Sequence, residues 1–295
     1  MVSSIVGNYL VEKGLISEAQ LTDIFAEQRK VRVKLGLIAV AEGLMTQEEA
    51  DRVNQLQAVM DKRFGDIAVE KGYLTSGQVE SLLKKQGNAY LAFAQALENQ
   101  QLMSIEQLEQ YLLDYQCENS LTVSDMEAVK SDDVDRILRL YLPVNAEEYL
   151  PIASLAVRTL IRLIDDELYP EKAYLTSELA VQKAAVQYVE GNVPFNCGMA
   201  GNGNDLIDVA SIFGQEQFEE VDEDALDAIA ELMNCINGLY ASALSKDGVS
   251  TELMPPEYSA NLSQVASEEM LVLPLWIKGN KVNFLITIDR KIELK

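Results

Sequence analysis

Asp227, Glu231 and Asn234 form the pattern in this chain with the clearest chemical meaning. They stand at i, i+4 and i+7 of the stretch from Asp222 to Ser245, so on a helix their side chains line up within about 60° of one another. A carboxylate there can pair with a partner's lysine or act as a base. A carboxamide can donate and accept hydrogen bonds at once, so it can hold a water at a fixed angle without changing protonation state. The stretch reads as a helix: Asp222 suits the N-cap, and Glu223 and Asp224 suit the positive end of the helix dipole. Leu226, Ile229, Leu232, Met233, Ile236, Leu239, Tyr240, Ala243 and Leu244 fall on one broad arc and are expected to face a core. Around the polar triplet lie Ala230, Gly238 and Ala241, small residues expected to leave a low, accessible ridge that another protein could approach. The plainer reading of the same residues is a solvated helix face.

Composition narrows the chemistry. The chain has 295 residues, 48% of them hydrophobic, enough for more than one domain with a substantial core. Its formal charge of -23 argues against nucleic acid or an anionic membrane as the main partner. No apolar run is long enough to span a membrane and no signal-peptide pattern is present, so a cytoplasmic location is expected. With no histidine, Ser-His-Asp and Cys-His catalysis and histidine-ligated metals are excluded, and no phosphate-loop or dinucleotide glycine motif is found. Cys117, Cys197 and Cys235 are too widely spaced for a zinc site and odd in number, which suits reduced thiols.

The pattern Asp227-x-x-x-Glu231-x-x-Asn234, followed by Pro255 and Pro256, resembles the CheC/CheX/FliY family of chemotaxis phosphatases over about residues 144–295. The resemblance implies hydrolysis of the aspartyl phosphate of a response-regulator receiver domain, with Glu231 and Asn234 entering the partner's active site. Asn234 would orient the attacking water and Glu231 would pair with a receiver lysine or, less simply, serve as base. Asp227, Gly238 and Pro256 would support docking. Any Mg²⁺ would belong to the receiver, so no cofactor or metal site is expected in this chain. The stretch from Glu147 to Leu168 reads as an amphipathic helix, at the place where some relatives carry a first Glu-x-x-Asn; none is present here.

The N-terminal third repeats itself. Gly14, Gly43 and Gly72 are 29 residues apart in VEKGLIS, AEGLMT and VEKGYLT, and a degenerate fourth copy, NQQLMS, has Gln101 in the glycine's place. Each is followed by a capping-box pair: Ser17 and Gln20, Thr46 and Glu49, Thr75 and Gln78, Ser104 and Gln107. Each copy therefore predicts a short helix, a glycine stop, a tight turn and a second amphipathic helix. These copies resemble the GspE/MshE N-terminal type of secretion and pilus ATPases, with Gly7, Gly36 and Gly65 and the closing Gln28, Gln57 and Gln86. Tandem copies of that type can bind cyclic di-GMP. Here only Lys34 and Arg63 supply a cation at the motif's arginine position, which holds Ile5 and Ala92 in the other copies; a docking or scaffold module is the alternative.

The fold class expected is multi-domain: an all-α repeat domain over 1–116, a polar connector over 117–143 in which VDRILRLYL can form a helix that Pro143 ends or redirects, and an α+β CheX-like domain over 144–295 with an antiparallel sheet and long helices. Two hairpins are predicted, AVQYV with VPFNCGM and MLVLPLWI with VNFLITID, and a helix from Asp205 to Phe213 between the first of them and the ridge helix. Pro274, inside a continuous apolar run, points to a buried strand with edge character near its middle. A receiver domain is the expected partner, with cyclic di-GMP and a homodimer left open. The non-catalytic alternative is a signalling adaptor or a cyclic di-GMP-binding regulator.

Overall fold

The computed structural model describes every residue except Asp61, and the side chains of all the rest but Ala58 and Val59. The chain forms two compact units, Val2–Asp132 and Asp133–Lys295. The first unit consists, among its described residues, of nine α-helices: α1 (Val2–Glu12), α2 (Glu18–Gln28), α3 (Leu35–Ala41), α4 (Gln47–Met60), α5 (Phe64–Glu70), α6 (Ser76–Lys84), α7 (Ala89–Asn99), α8 (Ile105–Glu118) and α9 (Val123–Ser131).

Two recurring devices shape the first eight. Gly14, Gly43, Gly72 and Gln101 all take positive φ, between 56° and 75°, which reverses the chain after α1, α3, α5 and α7. Three residues on, Ser17, Thr46, Thr75 and Ser104 open the following helix through reciprocal bonds with Gln20, Glu49, Gln78 and Gln107. Each cap contributes about 1 kcal/mol. The glycines inside α1, α3 and α5 have a different task. A Cβ on Gly7 would stand 2.4 Å from Leu21, on Gly36 3.0 Å from Phe64 and 3.4 Å from Ala50, and on Gly65 2.8 Å from Val79. Absence of a side chain lets the paired helix close over each of these positions. Leu10, Ile24, Ile38, Ile67, Phe93, Leu97 and Leu108 are fully buried in this unit.

The second unit begins with α10 (Val134–Tyr141), a short 3-10 turn (Glu147–Tyr149) and α11 (Leu150–Leu163). Then come β1 (Tyr169–Pro170), β2 (Tyr174–Leu179), β3 (Lys183–Gly191), β4 (Phe195–Gly201), α12 (Ile207–Gly214) and α13 (Glu223–Lys246). The chain closes with β5 (Thr251–Leu253), β6 (Glu257–Ser259), β7 (Val265–Ile277), β8 (Asn280–Ile288) and β9 (Glu293–Leu294). The strands make one antiparallel sheet in the order β1-β7-β8-β4-β3-β5, with β2 and β9 also pairing with β7 and β6 with β3. Both expected hairpins are present, as β3 with β4 and β7 with β8. A helix-rich, multi-part chain with an α+β part built on an antiparallel sheet is therefore observed.

Several expectations are corrected. The polar stretch CENSLTVSDMEAVKSDD, read as connector, carries α9, and VDRILRLYL, read as a helix, forms α10. Thr122 caps α9 in a box with Asp125, and Asp133 caps α10 through the backbone N–H groups of Asp135 and Arg136. Weak hydrophobic patterning concealed the first of these helices. α10 belongs with the second unit: Asp135 pairs with Arg158 of α11, and the Tyr141 carbonyl accepts from the Ala173 N–H at 2.8 Å. The helix expected over 147–168 stops at Leu163, because the buried Asp165 carboxylate takes the backbone N–H and the ammonium of Lys278, each at 2.9 Å. Pro274 lies inside β7, yet its missing N–H does no harm. β1 leaves β7 at Leu275 and β2 joins it at Val272, so the proline falls in the gap between them. No helix among the described residues is long and apolar enough to cross a membrane.

Candidate functional site

α13 positions the predicted chemistry. Asp222 Oδ1 accepts from the Ala225 N–H at 3.0 Å, Glu223 and Asp224 occupy the first turn and Lys246 the last, so cap and dipole agree along 24 residues. Leu226, Ile229, Leu232, Met233 and Ile236 are fully buried; each such side chain stabilises the packed state by about 1.5–3 kcal/mol. Tyr240 meets Phe195 of β4 edge to face, with ring centroids 5.2 Å apart.

Asp227, Glu231 and Asn234 are all exposed on the outer face, and Gly238 beside them is half-buried. The helix is more deeply embedded than its stripe suggests. Ala230 and Ala241, expected on the accessible ridge, are buried, and Leu239 and Ala243, expected in the core, are exposed. The sheet curls around the triplet's own flank through β5 and β6, turning the buried arc toward Ala230 and away from Leu239. Pro256 is half-buried in the link between β5 and β6, and Pro255 before it is exposed.

Neighbours of the triplet come from that link and from β3. The Asp227 carboxylate neighbours the Tyr258 phenol of β6, and its negative charge is the main cause of the raised Tyr258 pKa. Glu231 makes no hydrogen bond or ion pair among the described residues, so its carboxylate is available to a partner. Asn234 is held from below: Gln187 of β3 donates from Nε2 to Asn234 Oδ1 at 2.8 Å and to the Met254 carbonyl at 2.9 Å. Asn237, one turn further along α13 and fully buried, donates from Nδ2 to Gln187 Oε1 at 3.0 Å.

Gln187 and Asn237 were not singled out from sequence, although each left a trace. Gln187 interrupts the apolar alternation of Ala185 and Val189 on the strand face that meets the helix, and Asn237 sits inside the helix's apolar arc between Met233 and Ala241. A polar side chain at such a place requires a buried partner.

Cys197 is fully buried beneath α13, and burial pushes its thiol pKa far up, which leaves it unreactive. No group of three or more acidic or thiol side chains among the described residues is placed to hold a metal.

The helical unit brings together the second set of predicted residues. Lys34 and Arg63 line one cavity of about 780 Å³, together with Arg32, Gln57 and Gln86. Both closing glutamines point to equivalent backbone sites: Gln86 donates to the Val33 carbonyl at 2.9 Å and Gln57 to the Lys62 carbonyl at 3.3 Å, each just before the cation. The side chains of Arg32, Lys34 and Arg63 have no acceptor among the described residues. In a chain of charge -23, three unpaired cations around one cavity are an anion-receptive arrangement.

No family model matches the chain. It is 34% identical over 95 residues to an uncharacterised protein of Picosynechococcus sp. (strain ATCC 27264 / PCC 7002 / PR-6), a match that covers 30% of this chain and 52% of the relative. The chain thus spans about half the length of that curated relative. Among solved structures, it is similar to a CheC-like superfamily protein from Shewanella sp. PV-4, at 17% identity and a TM-score of 0.42, covering 47% of this chain and 95% of the other. It is similar to the chemotaxis protein CheX from Desulfovibrio desulfuricans, at 17% identity and a TM-score of 0.42, covering 48% and 99%. A third similarity is to the CheX-CheY-BeF3-Mg complex from Borrelia burgdorferi, at 18% identity and a TM-score of 0.34, covering 47% and 95%. These similarities are to CheC- and CheX-like chemotaxis proteins and fall on the C-terminal half of the chain.

Proposed function

We propose that Asp133–Lys295 is a CheX-like phosphatase that removes the aspartyl phosphate of a response-regulator receiver domain. The observation that carries this reading is the pairing on one exposed helix face of an unpartnered carboxylate, Glu231, with a carboxamide, Asn234, whose orientation is imposed from the protein interior. Such a pair is suited to a reaction whose electrophile arrives on another protein. Glu231 takes a receiver lysine and fixes the docking register. Asn234 has one lone pair on Oδ1 and both Nδ2 hydrogens left after bonding Gln187, so it can accept from a water and donate to the phosphoryl oxygens together, holding the water in line with phosphorus. Asp227, Gly238 and the Pro255-Pro256 link border the docking surface. Mg²⁺ is supplied by the receiver.

The test is a dephosphorylation assay against a panel of phosphorylated receivers. Substoichiometric protein shortens the lifetime of a cognate phosphoreceiver, and a protein that binds the receiver without shortening that lifetime is an adaptor instead.

A second reading applies to the helical unit, where the cavity bearing Arg32, Lys34 and Arg63 favours an anionic ligand of the cyclic di-GMP class. The resemblance to GspE/MshE N-terminal repeats belongs to this reading. Calorimetry with cyclic di-GMP tests it: saturable heat that disappears in Lys34→Ala/Arg63→Ala supports a nucleotide regulator. Absence of heat at high micromolar ligand leaves the unit as a docking module.

A further inference from the structure

Three carboxamides run in series beneath the exposed face of α13, and their polarity is fixed at two backbone atoms. The Met254 carbonyl can only accept, so the end of the Gln187 amide that lies 2.9 Å from it is the nitrogen. That nitrogen also faces Asn234 at 2.8 Å, which makes the Asn234 atom there the oxygen. Gln187 Oε1 is then turned to Asn237, whose Nδ2 is fixed independently by a second carbonyl, that of Gln187 itself, at 3.4 Å. Asn237 Oδ1 is left buried without a partner among the described residues. An orphaned buried acceptor costs free energy that an apolar residue at 237 would avoid, so its presence calls for a compensating task.

We infer that Gln187 and Asn237 are positioning residues that lock the Asn234 carboxamide with its NH₂ group directed at the incoming phosphoryl group. This inference rests on the phosphatase reading and adds to it which end of the amide works. Asn237 holds Gln187, Gln187 holds Asn234, and the bond to Met254 ties the same amide to the Pro255-Pro256 link. Gln187 is 2% exposed and Asn237 fully buried, so neither touches a docked receiver; both act only through Asn234. Freed from Gln187, the Asn234 amide could rotate and present either end, and the productive geometry would be a fraction of the population.

Two measurements test this. In the first, Gln187→Met keeps the side-chain volume and removes both donors. The expected result is a turnover number lower by about 10²-fold with receiver affinity unchanged, and no further loss when Gln187→Met is added to Asn234→Ala. A merely structural role would lower turnover in both backgrounds alike; that outcome, or wild-type turnover in a folded Gln187→Met protein, overturns the inference. The second uses the full wild-type chain and no activity: NMR of the side-chain amides. Slow solvent exchange of the Gln187 Nε2 hydrogens with fast exchange of the Asn234 Nδ2 hydrogens is expected, and fast exchange at Gln187 overturns the lock. If no receiver is dephosphorylated while Gln187 is protected, the phosphatase reading fails and the amide series stands.

Discussion

At Asn234 the difference between amide and carboxylate can be made to report mechanism. Asn234→Asp preserves an oxygen for Gln187 Nε2 to bond, so the helix face keeps its shape, but it turns a donor pair into a second anionic oxygen facing a phosphoryl group. Turnover is expected to fall at least as far as in Asn234→Ala, by about 10²-fold, with receiver binding weakened as well. Single-turnover kinetics and affinity measured on both variants check this, and an active Asn234→Asp would mean that the Nδ2 donors are not needed. Asn234 and Glu231 were legible in the sequence because polar residues at i and i+3 on a long amphipathic helix, with Asp227 one turn earlier, form a pattern that depends on helical spacing alone. Gln187 was not, because its role depends on strand register: only the pairing of Gln187 with Cys197 and its placement under α13 turn it toward Asn234.

Among the elements, the turns carry the most readable information. The four positions Gly14, Gly43, Gly72 and Gln101 share one left-handed backbone conformation, and the last of them holds a residue with a Cβ. Gln101→Gly should stabilise the helical unit by about 0.5–1 kcal/mol, and Gly43→Gln should destabilise it by a similar amount. Denaturant midpoints with unchanged m-values check both signs. The glycine stops and capping boxes could be read directly, since each acts within four residues. α9 was missed because its cap, Thr122, precedes a stretch with little apolar periodicity, whereas VDRILRLYL, which forms α10, was legible as a helix. The burial of Ala230 and exposure of Leu239 could not be read from α13 either, because they depend on tertiary packing against elements outside the helix, β5 and β6 among them. The 3-10 turn before α11 offers a pH test. Tyr149 is buried against Glu269, and burial with that negative charge raises its pKa to about 12 from the ordinary 10. Its proton is held more tightly in the folded chain, so the stability it contributes is complete below pH 10 and is lost as pH rises toward 12. Tyr149→Phe should flatten the fall in stability of the second unit over that window, as read by denaturation at pH 9 and pH 11.

At the scale of the whole molecule, the two units divide at Asp132 and Asp133, and α10 goes with the sheet-bearing unit through Asp135, Arg158 and the Tyr141 carbonyl. A truncation intended to isolate the sheet-bearing unit should therefore begin at Asp133; beginning at Val144 would strip α10 from α11. The shorter chain is expected to keep its intrinsic rate on a free receiver, with the helical unit serving to recruit or localise. A folded truncation much faster than the full chain would instead make the helical unit inhibitory. Division into a helical part and a sheet part was legible from the change of period near Leu168, whereas the boundary itself was not, since it falls between two short helices of unremarkable composition.

The most direct test of the central claim is a time course of a cognate phosphorylated receiver mixed with substoichiometric protein. Several turnovers per wild-type molecule are expected, and a decay slowed toward the receiver's own rate with Asn234→Ala, both proteins binding the receiver alike. Equal decay with wild type and Asn234→Ala, on a receiver that the wild type dephosphorylates, would contradict that claim.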